Sequence, residues 1–165
     1  MAPMNKQEIY TLLSQRGLWH EITEHPAVYN MEEMGQIALP YPEADAKNLF
    51  VRDDKKRNYY LIAVKGDKRV DLKEFKRKHG TRSLTFASEG EMLEFLGLTA
   101  GSVTPLGLLN DGQKRVKLYL DEYFMEAPAL IGVHPNDNTA TVAMKTEDLI
   151  ALLAEYGSQV EVVEI

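Results

Sequence analysis

Tyr59-Tyr60-Leu61-Ile62-Ala63-Val64 is an unbroken run of strand formers, and Leu49-Phe50-Val51 precedes it across the charged stretch 53–58. Two such runs about a polar turn predict a β-hairpin. Helix starts are written on either side of it. Asn5 with Glu8, Asn30 with Glu33 and Ser88 with Glu91 share one spacing, in which cap side chain and carboxylate satisfy orphan amides reciprocally. Ile9, Leu12, Leu13 and Arg16 follow the first cap at helical spacing, and Gly17 stops that helix. The second helix is short and ends before Leu39-Pro40, because a residue preceding proline is pushed out of helical geometry. Asp71 caps a basic helix over 72–79 closed by Gly80, and the Ser88 helix ends at Gly97.

Alternation or strand-former content predicts further strands at 19–24, 84–86, 116–120, 139–144 and 160–163. Thr146 is expected to cap a last helix reaching 156–157. Six or seven strands among four or five helices predict an α/β (α+β) chain, with helices around a mixed, mostly antiparallel sheet. A length of 165 residues predicts one domain over 1–165 with a substantial core.

Composition excludes more than it assigns. The chain has no cysteine, hence no disulfide framework, thiolate metal site or Cys nucleophile. The four histidines form no zinc-ligand pair, and neither a phosphate-binding loop, a dinucleotide fingerprint nor a serine-nucleophile elbow occurs. No metal and no cofactor are expected. No apolar run reaches a membrane span, so the expectation is a cytoplasmic protein with no membrane partner. The net charge of −6 conceals an asymmetry: residues 45–82 carry 13 Lys and Arg against 6 Asp and Glu, leaving 6 against 19 elsewhere. Location of charge, rather than its sum, decides which polyanion a surface can meet. A solvated helix and hairpin face explains the same run.

Three segments together are more specific. They are Lys47-Asn48-Leu49-Phe50-Val51-Arg52, Gly101-Ser102-Val103-Thr104-Pro105, and Gly132-Val133-His134-Pro135-Asn136-Asp137-Asn138-Thr139-Ala140-Thr141. In this order and separation the chain resembles the YbaK-like aminoacyl-tRNA editing family, closest to its freestanding ProXp-ala or PrdX type. The resemblance runs from the first helix through His25-Pro26-Ala27-Val28-Tyr29 to the closing helix. It implies an editing-domain fold and a hydrolase that removes alanine mischarged onto proline tRNA. Losing a few methylenes is worth only about 1–3 kcal/mol of discrimination in a pocket that accepts proline, so a second, smaller sieve is useful.

The resemblance assigns the site residue by residue. Lys47 corresponds to a lysine required for deacylation, set at the pocket mouth, where an ammonium can bind phosphate or carbonyl oxygens. By position alone it is an ordinary lysine at a strand start. Gly101 and Ser102 open a G-x-x-x-P loop whose amides could hold the ester oxygen as charge develops, with Val103, Thr104 and Pro105 completing the substrate wall. No base accompanies Ser102, which favours attack by water that the substrate's own 2′-hydroxyl orients. Val28, Tyr29 and Met31, in a mobile wall over 25–34, are expected to filter size. His134 is expected to bind substrate rather than act as general base. If Leu49 faces the core, alternation turns Asn48 outward to help hold the terminal nucleotide. Lys68, Arg69, Lys73, Arg77 and Arg82 would meet acceptor-stem phosphates, with Arg82 at a position associated with reading the stem's end.

The partners implied are the acceptor end of proline tRNA and, transiently, prolyl-tRNA synthetase, with no DNA. Two alternatives stand beside this reading. One is the same fold acting on Cys- or Ser-tRNA; the other is a catalytically silent module that binds tRNA or a synthetase.

Overall fold

The computed structural model describes residues 2–165. Five α-helices and eight β-strands alternate in the order α1 (Lys6–Gln15), β1 (His20–Glu24), α2 (Met31–Met34), β2 (Ala46–Asp53), β3 (Tyr59–Lys65), α3 (Leu72–His79), β4 (Leu84–Phe86), α4 (Glu89–Leu96), β5 (Val116–Asp121), β6 (Leu130–Val133), β7 (Ala140–Lys145), α5 (Thr146–Glu155) and β8 (Gln159–Val163). Capping boxes form at Asn5/Glu8 and Ser88/Glu91. At Asn30 only half the box forms. Its side chain accepts from the Glu33 amide at 2.8 Å, but the Glu33 carboxylate turns to the Tyr29 amide instead.

The expected single sheet is two. β1, β7 and β6 form an antiparallel three-stranded sheet, and the order β4-β2-β3-β5-β8 forms a five-stranded one. In the larger sheet β2 pairs antiparallel with β3 and β4, whereas β5 runs parallel to both β3 and β8. Pairing is thus mixed and mostly antiparallel.

Strand alternation explains how the sheets bury two cores. Leu61 and Ala63 of β3 and Leu118 and Leu120 of β5 join Phe50, Ile131, Val133, Val142 and Met144 in the main core. Ile9, Leu13, Leu96, Leu149 and Leu153 close it from α1, α4 and α5. The opposite face, Val51, Ile62, Val64 and Tyr119, packs under Phe75 of α3. β3 is therefore apolar on both faces, which is why its sequence reads as a continuous hydrophobic run rather than an alternating one.

Two expectations need correction. β6 went unpredicted because four residues after a Pro-containing turn carry too little pattern to register. Thr146 is not the cap: Lys145 holds that position, and Thr146 is the fully buried first residue of α5, its hydroxyl without a partner.

Candidate active site

A parallel bridge from Asp45 to Gly132 brings the start of β2 alongside the end of β6. The chain segment before α2 is stitched to the strand entering β7. The His25 amide donates to the Thr139 carbonyl (2.9 Å), the Val28 amide to the Asn138 carbonyl (3.2 Å), and Asn138 Nδ2 back to the Val28 carbonyl (2.8 Å). These tie lines leave a cleft of about 310 Å³, lined by Val28, Tyr29, Asn30, Met31, Met34, Ala46, Lys47, Asn48, Gly101, Val103 and His134.

Eight residues singled out from sequence thus share one cleft: Lys47, Asn48, Gly101, Val103, His134, Val28, Tyr29 and Met31. Ser102, Thr104 and Pro105 are buried and lie outside its lining. The Ser102 amide already donates to the Thr99 carbonyl, and the Thr104 hydroxyl caps the short 3-10 helix Pro105–Asn110. The wall over 25–34, expected to be mobile, is anchored at both His25 and Val28.

Asn30, Met34 and Ala46 line the cleft without having been singled out. Ala46 was recoverable, since it shares a strand face with Asn48; Met34 lies one helical turn after Met31. Asn48 does leave β2 opposite Leu49, which packs with the smaller core, but that opposite face is the cleft rather than bulk solvent.

Lys47 Nζ donates to the Lys68 carbonyl. Burial, and secondarily the neighbouring Arg69 guanidinium, push its ammonium below the usual lysine range. His134 Nδ1 lies 2.8 Å from the Ala140 carbonyl, and a carbonyl only accepts, so Nδ1 carries the proton. Burial lowers the imidazole's basicity, which keeps it neutral and leaves Nε2 a lone pair. His25 stacks against it obliquely, ring centroids 6.0 Å apart, and is fixed by Thr141 Oγ1 at 2.9 Å.

Behind α2, Met31 and Met34 also wall a second hollow of about 440 Å³ that contains Asp45, Lys65 and Gly66. Lys65 is held by Glu43 (3.2 Å) and Asp67 (3.7 Å). Burial pushes the Asp45 carboxyl up to about 7. An unfolded aspartate titrates near 3.8, so between pH 4 and 7 the native chain holds a proton that the unfolded chain has released. Stability from this group falls as pH rises through that window, with a slope of at most about 1.4 kcal/mol per pH unit. Asp45→Asn should flatten it. Denaturant melts at pH 5 and 8 check this: the variant should gain on the wild type at the higher pH, and parallel profiles would refute it.

The basic segment is more neutralised than its composition suggests. Lys68 pairs with Asp121 (3.1 Å), Arg77 with Glu74 (2.7 Å), and Arg82 lies bidentate on Asp54 (2.7 and 3.1 Å). Among the described residues Arg69 and Lys73 have no carboxylate partner. Lys73 and Arg77 flank a shallow hollow with Lys76, Thr81 and Ser83, while Arg69 adjoins Lys47. No helix among the described residues is long and apolar enough to cross a membrane, and no group of three or more His, Cys, Asp or Glu is placed to hold a metal ion.

Comparison with known proteins gives the family. The aminoacyl-tRNA editing domain family matches residues 25–152. The prolyl-tRNA editing protein ProX of Acetoanaerobium sticklandii is 36% identical over 160 residues, 97% of either chain. The prolyl-tRNA synthetase associated domain-containing protein 1 of Mus musculus is 35% identical over 156 residues, 92% of this chain and 91% of that one. A crystal structure of a proposed trans-editing enzyme for prolyl tRNA synthetase superposes with a TM-score of 0.70 at 26% identity, covering 97% of this chain and 96% of the other. Fold, cleft and relatives define an aminoacyl-tRNA deacylase. The chain belongs to the aminoacyl-tRNA editing family.

Proposed function

We propose that the chain, as one unit over 1–165, removes alanine from mischarged proline tRNA as a freestanding deacylase. The observation that carries this reading is the cleft itself. Lys47 stands beside Gly101 and Val103 in a small pocket walled by Val28, Met31 and Met34, with no serine, threonine or cysteine in its lining. Such a pocket suits a short side chain at the end of a polyanion.

Water then supplies the nucleophile. Its oxygen bonds to the ester carbonyl carbon, oriented by the 2′-hydroxyl of the terminal adenosine. The Gly101 and Val103 amides, which among the described residues have no protein acceptor, receive the developing oxyanion. Collapse breaks the bond to the ribose 3′-oxygen, which takes the proton that the attacking water gives up and leaves as the free tRNA end, releasing alanine. Lys47 neutralises charge at the mouth, and its lowered pKa marks an ammonium poorly solvated and ready for an anionic partner. Arg69 and Lys73, free of carboxylates, extend the positive surface along the acceptor strand, with Lys68, Arg77 and Arg82 able to exchange their carboxylates for phosphates. Prolyl-tRNA synthetase, which releases the mischarged tRNA, is the transient partner.

Proline tRNA charged separately with alanine, proline, serine and cysteine tests this. Ester loss should be fastest by far for alanine. Preference for serine or cysteine would move the specificity, and loss from none would indicate a binding module.

A further inference from the structure

Proline and tyrosine alternate after α2 in the run Pro40-Tyr41-Pro42, and the fold sets this run against Tyr123 and Pro128. Between them lies a groove of about 320 Å³, with Ala44 and Leu130 in its lining, that shares no residue with the catalytic cleft. Its aromatic side chains are held in place. The Tyr123 hydroxyl donates to the Glu43 carbonyl (2.8 Å) and the Tyr41 hydroxyl to Glu21 Oε1 (3.4 Å). Trp19, the chain's only tryptophan, stands edge-on to Tyr41 with ring centroids 5.9 Å apart. Pro40, Pro42, Pro128 and Trp19 remain exposed. Proline and aromatic side chains have few rotamers to lose, so covering such a surface costs little conformational entropy.

The only charged residues in the groove lining are carboxylates, Glu43 and Glu126, both exposed. Lys65 bridges Glu43 (3.2 Å) and Asp67 (3.7 Å) and rests 5.3 Å from the Tyr123 ring centroid, so one of the two tyrosines already carries a cation. Lys145, at register with Leu130, is the other neighbouring cation. Against these two stand Glu21, Glu43, Asp67 and Glu126, and among the described residues Glu21 and Glu126 have no Lys or Arg partner. The rim is acidic.

We propose that this groove docks an extended, basic, proline-containing segment of a partner protein. Such a segment in the polyproline II form is ordered before it binds, and its prolines recur along one face, where they can seat against Tyr41, Tyr123 and Trp19. Lys or Arg on the same segment meets Glu126 and Glu21, and the faces of the tyrosines add to the attraction. The same carboxylates repel an acidic peptide or a nucleic acid. This face therefore takes a different class of partner from the surface carrying Arg69 and Lys73. Because no lining residue is shared with the cleft, the docking does not depend on the deacylase reading.

The probe is a fluorescein-labelled synthetic peptide of about ten residues, with proline at every third position to match the polyproline II turn and arginine at both ends. Its anisotropy is followed against the full chain at low salt. Saturable binding with a Kd of about 100 μM or tighter is expected, together with a shift in Trp19 emission that places the peptide beside Tyr41. Replacing the arginines by glutamate, or the prolines by alanine, should weaken binding about 10-fold or more. Tyr41→Ala and Glu126→Lys should each weaken it by a similar factor, one by removing an aromatic anchor and the other by reversing a rim charge. Glu126 is exposed, so Glu126→Lys should keep the wild-type melting temperature and alanyl-tRNA hydrolysis, and it decides the matter if Tyr41→Ala folds poorly. No saturable binding up to about 1 mM, equal affinity for the glutamate-ended peptide, or undiminished affinity in Glu126→Lys would overturn the proposal. So would self-association in sedimentation that Tyr41→Ala abolishes, which would give the groove to a second copy of the chain.

Discussion

Lys47→Ala is expected to lower kcat/KM on alanyl-tRNA by about 10²–10³, the loss typical when a preorganised charge or donor is removed from a developing oxyanion. The fold should survive. Lys47 is half-buried, and among the described residues its ammonium's only hydrogen bond is to the Lys68 carbonyl, so losing it costs on the order of 1 kcal/mol. The kinetic partition says what Lys47 does. If it acts only once charge develops, kcat falls and KM holds; if it grips a phosphate equally in ground and transition states, KM rises. A phosphate role also shows as a shallower salt dependence in the variant, because one fewer counterion is released on binding. Lys47→Arg tests geometry at constant charge. A planar guanidinium does not replace a point ammonium at a narrow mouth, and partial activity is expected. Undiminished hydrolysis by a folded Lys47→Ala protein would remove Lys47 from the chemistry.

What sequence reveals of this molecule is divided by range. Caps and breakers act over three or four residues, so Asn5, Asp71 and Ser88 are legible, and each caps where its spacing predicts. Strands with a full alternating or apolar stretch are equally plain. β6 is not, because four residues gain their strand character from pairing with β7 rather than from their own pattern. The cleft gathers residues from four separate stretches, and only the resemblance connected them; no local periodicity could place His134 near Asn48. The same distance hides charge. Lys68 finds Asp121 and Lys78 finds Glu164, so a segment that reads as strongly basic is partly neutralised by carboxylates far along the chain. Asp45 is invisible for a related reason. Nothing in the letters around it announces that its carboxyl will be buried behind α2.

Gly101→Ala is the sharper test of how the cleft is built. Gly101 sits at φ +86, where a β-carbon is strained, and that carbon would stand 2.9 Å from Tyr29 Cδ1 and 3.1 Å from both the Val28 carbonyl and Asn138 Nδ2. The Tyr29 ring is 66% exposed and can swing aside. The other two neighbours cannot retreat independently, because Asn138 donates to the Val28 carbonyl and the Val28 amide to the Asn138 carbonyl. A methyl group must therefore push the wall bearing Val28 into or away from the cleft. Left-handed strain of about 1–2 kcal/mol and overpacking of about 1–3 kcal/mol add to an expected destabilisation of about 2–5 kcal/mol. Gly17 supplies the control. It has φ +63 with nothing within 4 Å of its would-be β-carbon, so Gly17→Ala carries the conformational cost alone. Denaturant melts should show the larger loss at Gly101. Alanyl-tRNA hydrolysis, measured where both variants are fully folded, should fall at least 10-fold at Gly101 and hold at Gly17, since displacement of a wall by a fraction of an ångström misplaces the ester. Equal stability losses with both activities intact would mean that close backbone approach at Gly101 does not shape the pocket, and the small-side-chain sieve would have to be sought in Met31 and Met34 instead.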